Sequence, residues 1–212
     1  MNISELLKKK LESNQTVLTE FESKELLKEI GISIPDQKLS STKEETVSTA
    51  KNIGFPVVLK LMAEDIVHKS DTGAVKLNIK NEEETANAFE ELMKIPSQAE
   101  KFISVQKMAN EPITELILGM TTDAQFGPAL MFGIGGILVE LLEDVSFRIA
   151  PITEYDAQEM IKEIKGFPIL DGYRGKSKAD IDAIVQTLLK VSDLVIKHEE
   201  IYEMDLNPVF IY

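Results

Sequence analysis

The 212-residue chain contains no cysteine and no tryptophan, and only two histidines, His68 and His198. Without cysteine there are no disulfides and no thiolate metal sites, a composition that suits an intracellular, cytoplasmic protein. Long apolar runs are missing too: nothing approaches the roughly 20 residues that a membrane-spanning helix needs. The opening "MNISELLKKKLESNQ" has lysines but no apolar stretch behind them, so it does not read as a secretory signal. Basic residues are in the minority, 23 against 36 acidic, for a formal charge of −13. The one Lys/Arg cluster, "KKK" at 8–10, falls on the exposed side of a first predicted helix. This argues against duplex nucleic acid or an anionic membrane as a partner. It leaves open an anionic small molecule, because local fields decide that question.

What is present is globular. Hydrophobic residues make up 43% of the chain, enough to bury one or two cores. Helical and strand patterns alternate. "ISELLKKKL" reads as a short amphipathic helix. "LTEFESKELLKEIGI" starts on a Thr19/Glu22 capping box and stops at Gly31. "STKEETVSTAKNIG" repeats that arrangement with Thr42, Glu45 and Gly54, and "NEEETANAFEELMK" begins on an Asn81 cap. "FPVVLKL" and "AVKLNIKN" read as strands. The second half supplies further strands in "FISVQKM", "ITELILGM", "PALMFGIGG", "ILVELLEDVSF" and "IYEMDLNPVFIY", with helices near "TEYDAQEMIKEI" and "KADIDAIVQTLLKVSDLVIK". The class is α/β (α+β) with substantial antiparallel sheet. The least regular sections are 62–74 and 165–178, and irregular connections are where function concentrates.

Several residues could carry chemistry, and each has an ordinary reading beside it. Lys60, ending "VVLK", could set an ammonium against a phosphate, or could be an edge-strand lysine. In "VQKMA", an extended backbone at Gln106, Lys107 and Met108 could face a flat heterocycle with Met108 as an apolar wall, or could be core strand. Glu115 could accept a ribose hydroxyl or simply be solvated. "GIGGI" at 133–137 lacks the Lys-Ser/Thr of a P-loop, so its glycines permit a tight turn or a close approach of backbone to a ligand. Asp205 and Asn207, one residue apart on a predicted strand, should face the same way and offer oxygen donors that suit Mg²⁺. His68, in "IVHKSDTGAV", is either a surface loop residue or a nucleophile that forms a phosphohistidine. His198, near a helix C-terminus, reads as structural.

The order of these segments is more specific than any one of them. "LTEFESKELLKEIGI", "GFPVVLK", "HKSDTGAVKLN", "VQKMA", "TELILGMTTDAQFGPALMFGIGGILVELLEDVSFRIAPI", "GYRG" and "EMDLNPV" follow one another from about residue 18 to the end. The series resembles the β (ATP-grasp) subunit of ADP-forming acyl-CoA synthetases, notably the archaeal acetate–CoA ligase (ADP-forming) type. The resemblance implies an ATP-grasp fold, two lobes clasping a nucleotide. Residues 1–37 would be N-terminal helices packing with the C-terminal lobe, 38–107 the small lobe, and 108–212 the C-terminal lobe.

The resemblance also implies roles. Lys60 would touch the nucleotide phosphates, Gln106 to Met108 would read adenine, and Glu115 would hold the ribose. Asp205 and Asn207 would sit at the Mg²⁺ site, with Glu140 a further ligand. His68 matches the histidine of the phosphoryl relay. Arg148 and Arg174, in "SFR" and "GYRG", would orient phosphate or a mobile histidine segment of the partner. The implied reaction is acyl-CoA + ADP + Pi ⇌ carboxylate + ATP + CoA, with ADP/ATP and Mg²⁺ as cofactors. A CoA-binding α subunit carrying a second phosphohistidine would complete an α2β2 heterotetramer.

Two departures from the family pattern stand out. Thr72-Gly73-Ala74 replaces "VGG", which requires Ala74 to keep a negative φ, and the chain ends at "FIY" where related subunits continue into a strand with a further Asp. A succinyl-CoA synthetase-like β subunit is the nearest alternative, although "VHKSD" replaces the Gly-Arg-Gly expected there. A non-catalytic ATP-grasp module is another, and a decayed copy would have lost some of His68, Lys60 and Asn207.

Overall fold

The structure is a computed structural model that describes residues 2–63, 65–66, 73–136, 143–175 and 177–212. The chain divides into two compact units, Met1–Asn110 and Glu111–Tyr212. Residues 1–37 belong to the first unit, where α2 (Glu20–Glu29) hydrogen-bonds to the sheet. β4 (Phe102–Lys107) is an internal strand of the first sheet, and the first unit runs on to Asn110.

The first unit opens with α1 (Ile3–Glu12) and α2. Its sheet has the order β1-β4-β2-β3, with β1 at Gln37–Ser40, β2 at Val57–Met62 and β3 at Val75–Ile79, all pairs antiparallel. The Thr19/Glu22 capping box read from sequence starts its helix: Thr19 accepts from the Glu22 amide and the Glu22 carboxylate accepts from the Thr19 amide. Thr42 caps α3 (Lys43–Ile53) by accepting from the Glu45 amide, but the Glu45 carboxylate accepts from Ser41 instead of Thr42, so only half of that box forms. Asn81 caps α4 (Glu82–Met93). Gly31, at φ 76°, takes the left-handed turn that lets the Ile32 amide bond back to the Leu27 carbonyl, so α2 stops there. Strand alternation sends Leu59, Leu61, Ile103 and Val105 to the face covered by α3 and α4, where Ala50, Ala88 and Leu92 complete a buried core. Ala74 is fully buried and is not among the left-handed residues, as its place in the loop requires.

The second unit carries an antiparallel sheet of order β7-β6-β5-β8: β5 Thr114–Asp123, β6 Gly127–Ile134, β7 Val145–Ile149 and β8 Glu203–Ile211. One face packs on α5 (Glu154–Glu163) and on α7 (Ile181–Lys197). Phe132, Leu130, Leu116 and Leu118 are buried there with Met160 and Leu188. Within 165–178, read as irregular, lie a single helical turn, α6 (Phe167–Leu170), and a 3₁₀ turn at Tyr173–Gly175. His198 caps the end of α7 with its own amide bonded to Leu194, in keeping with the structural reading.

The β6–β7 register pairs Phe132 with Ser146 and Met131 with Phe147, placing Phe132 on the helix side and Phe147, 54% exposed, on the other. Phe132→Ala is therefore expected to lower the unfolding free energy by about 3–5 kcal/mol, and Phe147→Ala by less than about 1 kcal/mol. Urea titration of both variants measures this, and equal losses would contradict the assignment of faces.

Candidate functional site

In the first unit, the face of the sheet opposite the core carries Val58, Lys60, Ser104 and Gln106, since β2 and β4 pair Val58 with Gln106 and Lys60 with Ser104. Lys60 is not an edge-strand lysine: β2 lies between β4 and β3. Its ammonium donates to Glu20 Oε1 at 2.5 Å. The same oxygen accepts from Lys24 Nζ at 2.8 Å and from Gln106 Nε2 at 3.4 Å. Lys24 also donates to Gln106 Oε1 at 2.9 Å, and Gln106 Nε2 donates to Ser104 Oγ at 3.1 Å. In this half-buried network the ammoniums of Lys24 and Lys60 both meet the Glu20 carboxylate. Burial alone would push the Glu20 carboxyl up, but the charges of Lys24 and Lys60 and their hydrogen bonds hold it far below the usual carboxylate range.

The neighbouring residues of β4 are less available. Lys107 donates its ammonium to the Gly54 carbonyl at 2.6 Å and to that of Phe55 at 3.2 Å, at the end of α3. The amides of Lys107 and Met108 are bonded to the Asp36 and Pro56 carbonyls. Gln106 is 3% exposed, so its side chain serves the internal network.

In the second unit, β5 pairs Gly119 with Asp205 and Glu115 with Phe210, so Glu115 and Asp205 lie on the face of the sheet away from the helices. Asp205 and Asn207 are both exposed and the half-buried Leu206 alternates between them. The register shifts between Leu116 and Leu118, so Asn207 and Pro208 together face Ile117 as a bulge. Partial desolvation of the Asp205 carboxyl against the sheet, then the like charge of Glu203, push it above its ordinary range. The glycines of "GIGG" serve close approach, but to protein. The Gly135 amide donates to the Glu115 carbonyl at 2.7 Å, and a β-carbon on Gly135 would lie 3.2 Å from the Glu115 and Leu116 backbone.

Arg148 lies on the opposite face of the sheet from Asp205. Arg148 pairs with Leu130 on the helix side of the sheet and makes a two-pronged ion pair with Glu163 of α5, at 2.9 and 2.5 Å. Arg174 sits in the left-handed region at φ 53° with its guanidinium over the Tyr173 ring, 5.2 Å from the centroid. His68 and Glu140 lie outside the described residues.

The family model for the ATP-grasp domain matches residues 9–212. Over 212 residues the chain is 49% identical to the β subunit of acetate–CoA ligase [ADP-forming] II of Pyrococcus furiosus, covering 98% of this chain and 90% of that subunit. The chain belongs to the ATP-grasp β subunits of ADP-forming acetate–CoA ligases.

Solved structures of the family agree. An acetyl-coenzyme A synthetase 1 of Ca. Korarchaeum cryptofilum, in complex with coenzyme A, Ca-AMPCP and HgCl+, matches with a TM-score of 0.93 and 42% identity, covering 100% of this chain and 94% of that one. A second structure of that enzyme, with coenzyme A and Mg-AMPPCP and its phosphohistidine segment pointing towards the nucleotide-binding site, matches with a TM-score of 0.88 and 44% identity over 98% of this chain and 92% of that one. The ATP-grasp fold expected from the motifs is thus the fold of this β-subunit family.

Among the described residues, no group of three or more His, Cys, Asp or Glu side chains is placed to hold a metal ion. Asp205 and Asn207 still fit Mg²⁺, which takes one or two carboxylates and completes its shell with phosphate oxygens and water. A cation beside Asp205 would also relieve the like-charge pressure from Glu203.

Two functional-looking acids had no assigned place in the sequence. Glu20 is one: it stands 40 positions from Lys60, a separation with no local signature, and its only visible signal is an acid in the first turn of a helix. Asp144, in "LLEDVSF", is the other. It is 8% exposed and accepts from the amides of Lys165 and Gly166 at 2.7 and 2.6 Å, so it holds the start of α6.

The depressed Glu20 carboxyl makes the network acid-sensitive. Its stabilising contribution is fully present above the ordinary pKa of a glutamate and is lost as pH falls below that value. The wild-type unfolding free energy should therefore decline more steeply than that of Glu20→Gln as pH is lowered through and below the carboxylate range. Parallel pH profiles in chemical denaturation would contradict the network.

Proposed function

We propose that this β subunit performs the nucleotide half of the reaction acyl-CoA + ADP + Pi ⇌ carboxylate + ATP + CoA, with acetyl-CoA as the acyl donor. The reading is carried by one observation: the same fold, along the whole chain, belongs to a synthetase that holds nucleotide analogues and coenzyme A. The non-catalytic alternative is disfavoured because Lys60, Asn207 and His68 all stand in the sequence.

In this reading Lys60 presents its ammonium to the nucleotide phosphates as a point charge. The "VQKMA" stretch borders the base and Glu115 the ribose. Since the Lys107 and Met108 amides are committed within the first sheet, these residues would recognise the base through their other groups. Asp205 and Asn207 would hold Mg²⁺, with Glu140 as a further oxygen donor, and the ion when bound supplies charge neutralisation to the phosphates. His68 would be the relay: its neutral imidazole takes a phosphoryl group by forming a P–N bond as the donor's bond to phosphorus breaks. A β-phosphate oxygen of ADP then attacks the same phosphorus, the P–N bond breaks, and the imidazole is restored as ATP forms. Arg174, exposed in its turn, would meet the incoming phosphohistidine segment. Arg148, tied to Glu163, would act there only by leaving that pair.

The thioester chemistry would belong to a CoA-binding α subunit, which brings its own phosphohistidine. We place the assembly in the cytoplasm as an α2β2 heterotetramer. Among the described residues no helix is long and apolar enough to cross a membrane. A succinyl-CoA synthetase-like activity is disfavoured by "VHKSD" at 67–71.

Mixing the purified chain with its α partner should yield ATP from acetyl-CoA, ADP and phosphate, and neither subunit alone should turn over. His68→Ala should lower the rate at least about a hundredfold with the melting temperature unchanged. Coupled ATP assays measure both. Full activity in the variant would refute the relay, and turnover by the chain alone would refute the division of labour.

A further inference from the structure

We propose that Glu20 is the positioning residue for Lys60, fixing the ammonium for the phosphates of the nucleotide; this rests on the nucleotide reading above. A lysine is a point charge on a flexible four-carbon stem, and holding it in one place costs side-chain entropy. Here that flexibility is removed before any ligand arrives. Glu20 Oε1 accepts the Lys60 ammonium at 2.5 Å from the first turn of α2. That turn is itself pinned, because the Thr19 amide and hydroxyl both bond to Glu22 Oε2 at 2.9 Å, next to Glu20 in the helix.

The carboxylate is held from behind as well. Lys24 bridges Glu20 Oε1 and Gln106 Oε1, and Gln106 is locked to Ser104 inside β4. The closed ring Glu20–Lys24–Gln106 gives a rigid back wall against which Lys60 rests. An ammonium has three donors, and the bond to Glu20 Oε1 uses one of them. Protein kinases divide the task in the same way, with a strand lysine on the phosphates and a helix glutamate that must pair with it.

The test is a double-mutant cycle on the full chain, read by calorimetric titration with Mg-ADP at fixed ionic strength, with circular dichroism confirming the fold of each variant. Glu20→Gln should weaken Mg-ADP binding about tenfold, the scale of one charge-assisted contact. Lys60→Ala should weaken it at least as much, and Glu20→Gln should add nothing in the Lys60→Ala background, because Glu20 acts only through Lys60. A Glu20→Gln affinity within about twofold of wild type, or a loss that persists in full without Lys60, overturns the positioning role. If Glu20→Gln does not fold, Glu20→Asp carries the same cycle by withdrawing the carboxylate one methylene, with the same Lys60-dependent loss expected. Failure of the wild-type chain to bind Mg-ADP would overturn the nucleotide reading itself.

Discussion

Alternation along antiparallel strands, with helices against one face of each sheet, is the constraint on which the rest depends. Once α3 and α4 cover Leu59, Leu61, Ile103 and Val105, the residues between them are sent the other way. Lys60, Ser104 and Gln106 are those residues. In the second unit, burial of Leu116, Leu118, Leu130 and Phe132 against helices leaves Glu115, Asp205 and Asn207 on the opposite face. A one-residue slip of either register would bury the polar set and expose the core. The chemistry-bearing residues are therefore placed by the same pattern that makes the hydrophobic cores.

The polar faces differ in how they manage charge. On the first sheet the charges are satisfied internally: Glu20 is held ionised by Lys24 and Lys60. On the second, Asp205 is pushed the other way by partial desolvation and by Glu203, and a cation would relieve it. The first face is preorganised around its ion pairs, and the second carries a carboxylate with a like charge beside it.

Much of this was legible in the sequence. The caps at Thr19, Thr42 and Asn81, the strand around Lys60, and the Asp205–Asn207 alternation all follow from local periodicity and turn chemistry, which one dimension records. Contacts between distant segments were not legible. The order β1-β4-β2-β3 makes β4 a central strand and brings Lys24 of α2 to Gln106, a closeness no spacing rule gives. The bulge at Asn207–Pro208 depends on pairing with β5. Arg148 and Asp144 look like chemistry in a string of letters, yet packing gives one to Glu163 and the other to the start of α6. The motif order from "LTEFESKELLKEIGI" to "EMDLNPV" carried the family where single residues could not.

The central claim is that this chain moves a phosphoryl group between nucleotide and partner. It is tested most directly by following the γ-phosphate of labelled ATP into the CoA-binding subunit. The account predicts acid-labile, alkali-stable label on a histidine of the partner only when this chain and Mg²⁺ are both present. Labelling of the partner in the absence of this chain, or none with all components mixed, would contradict it.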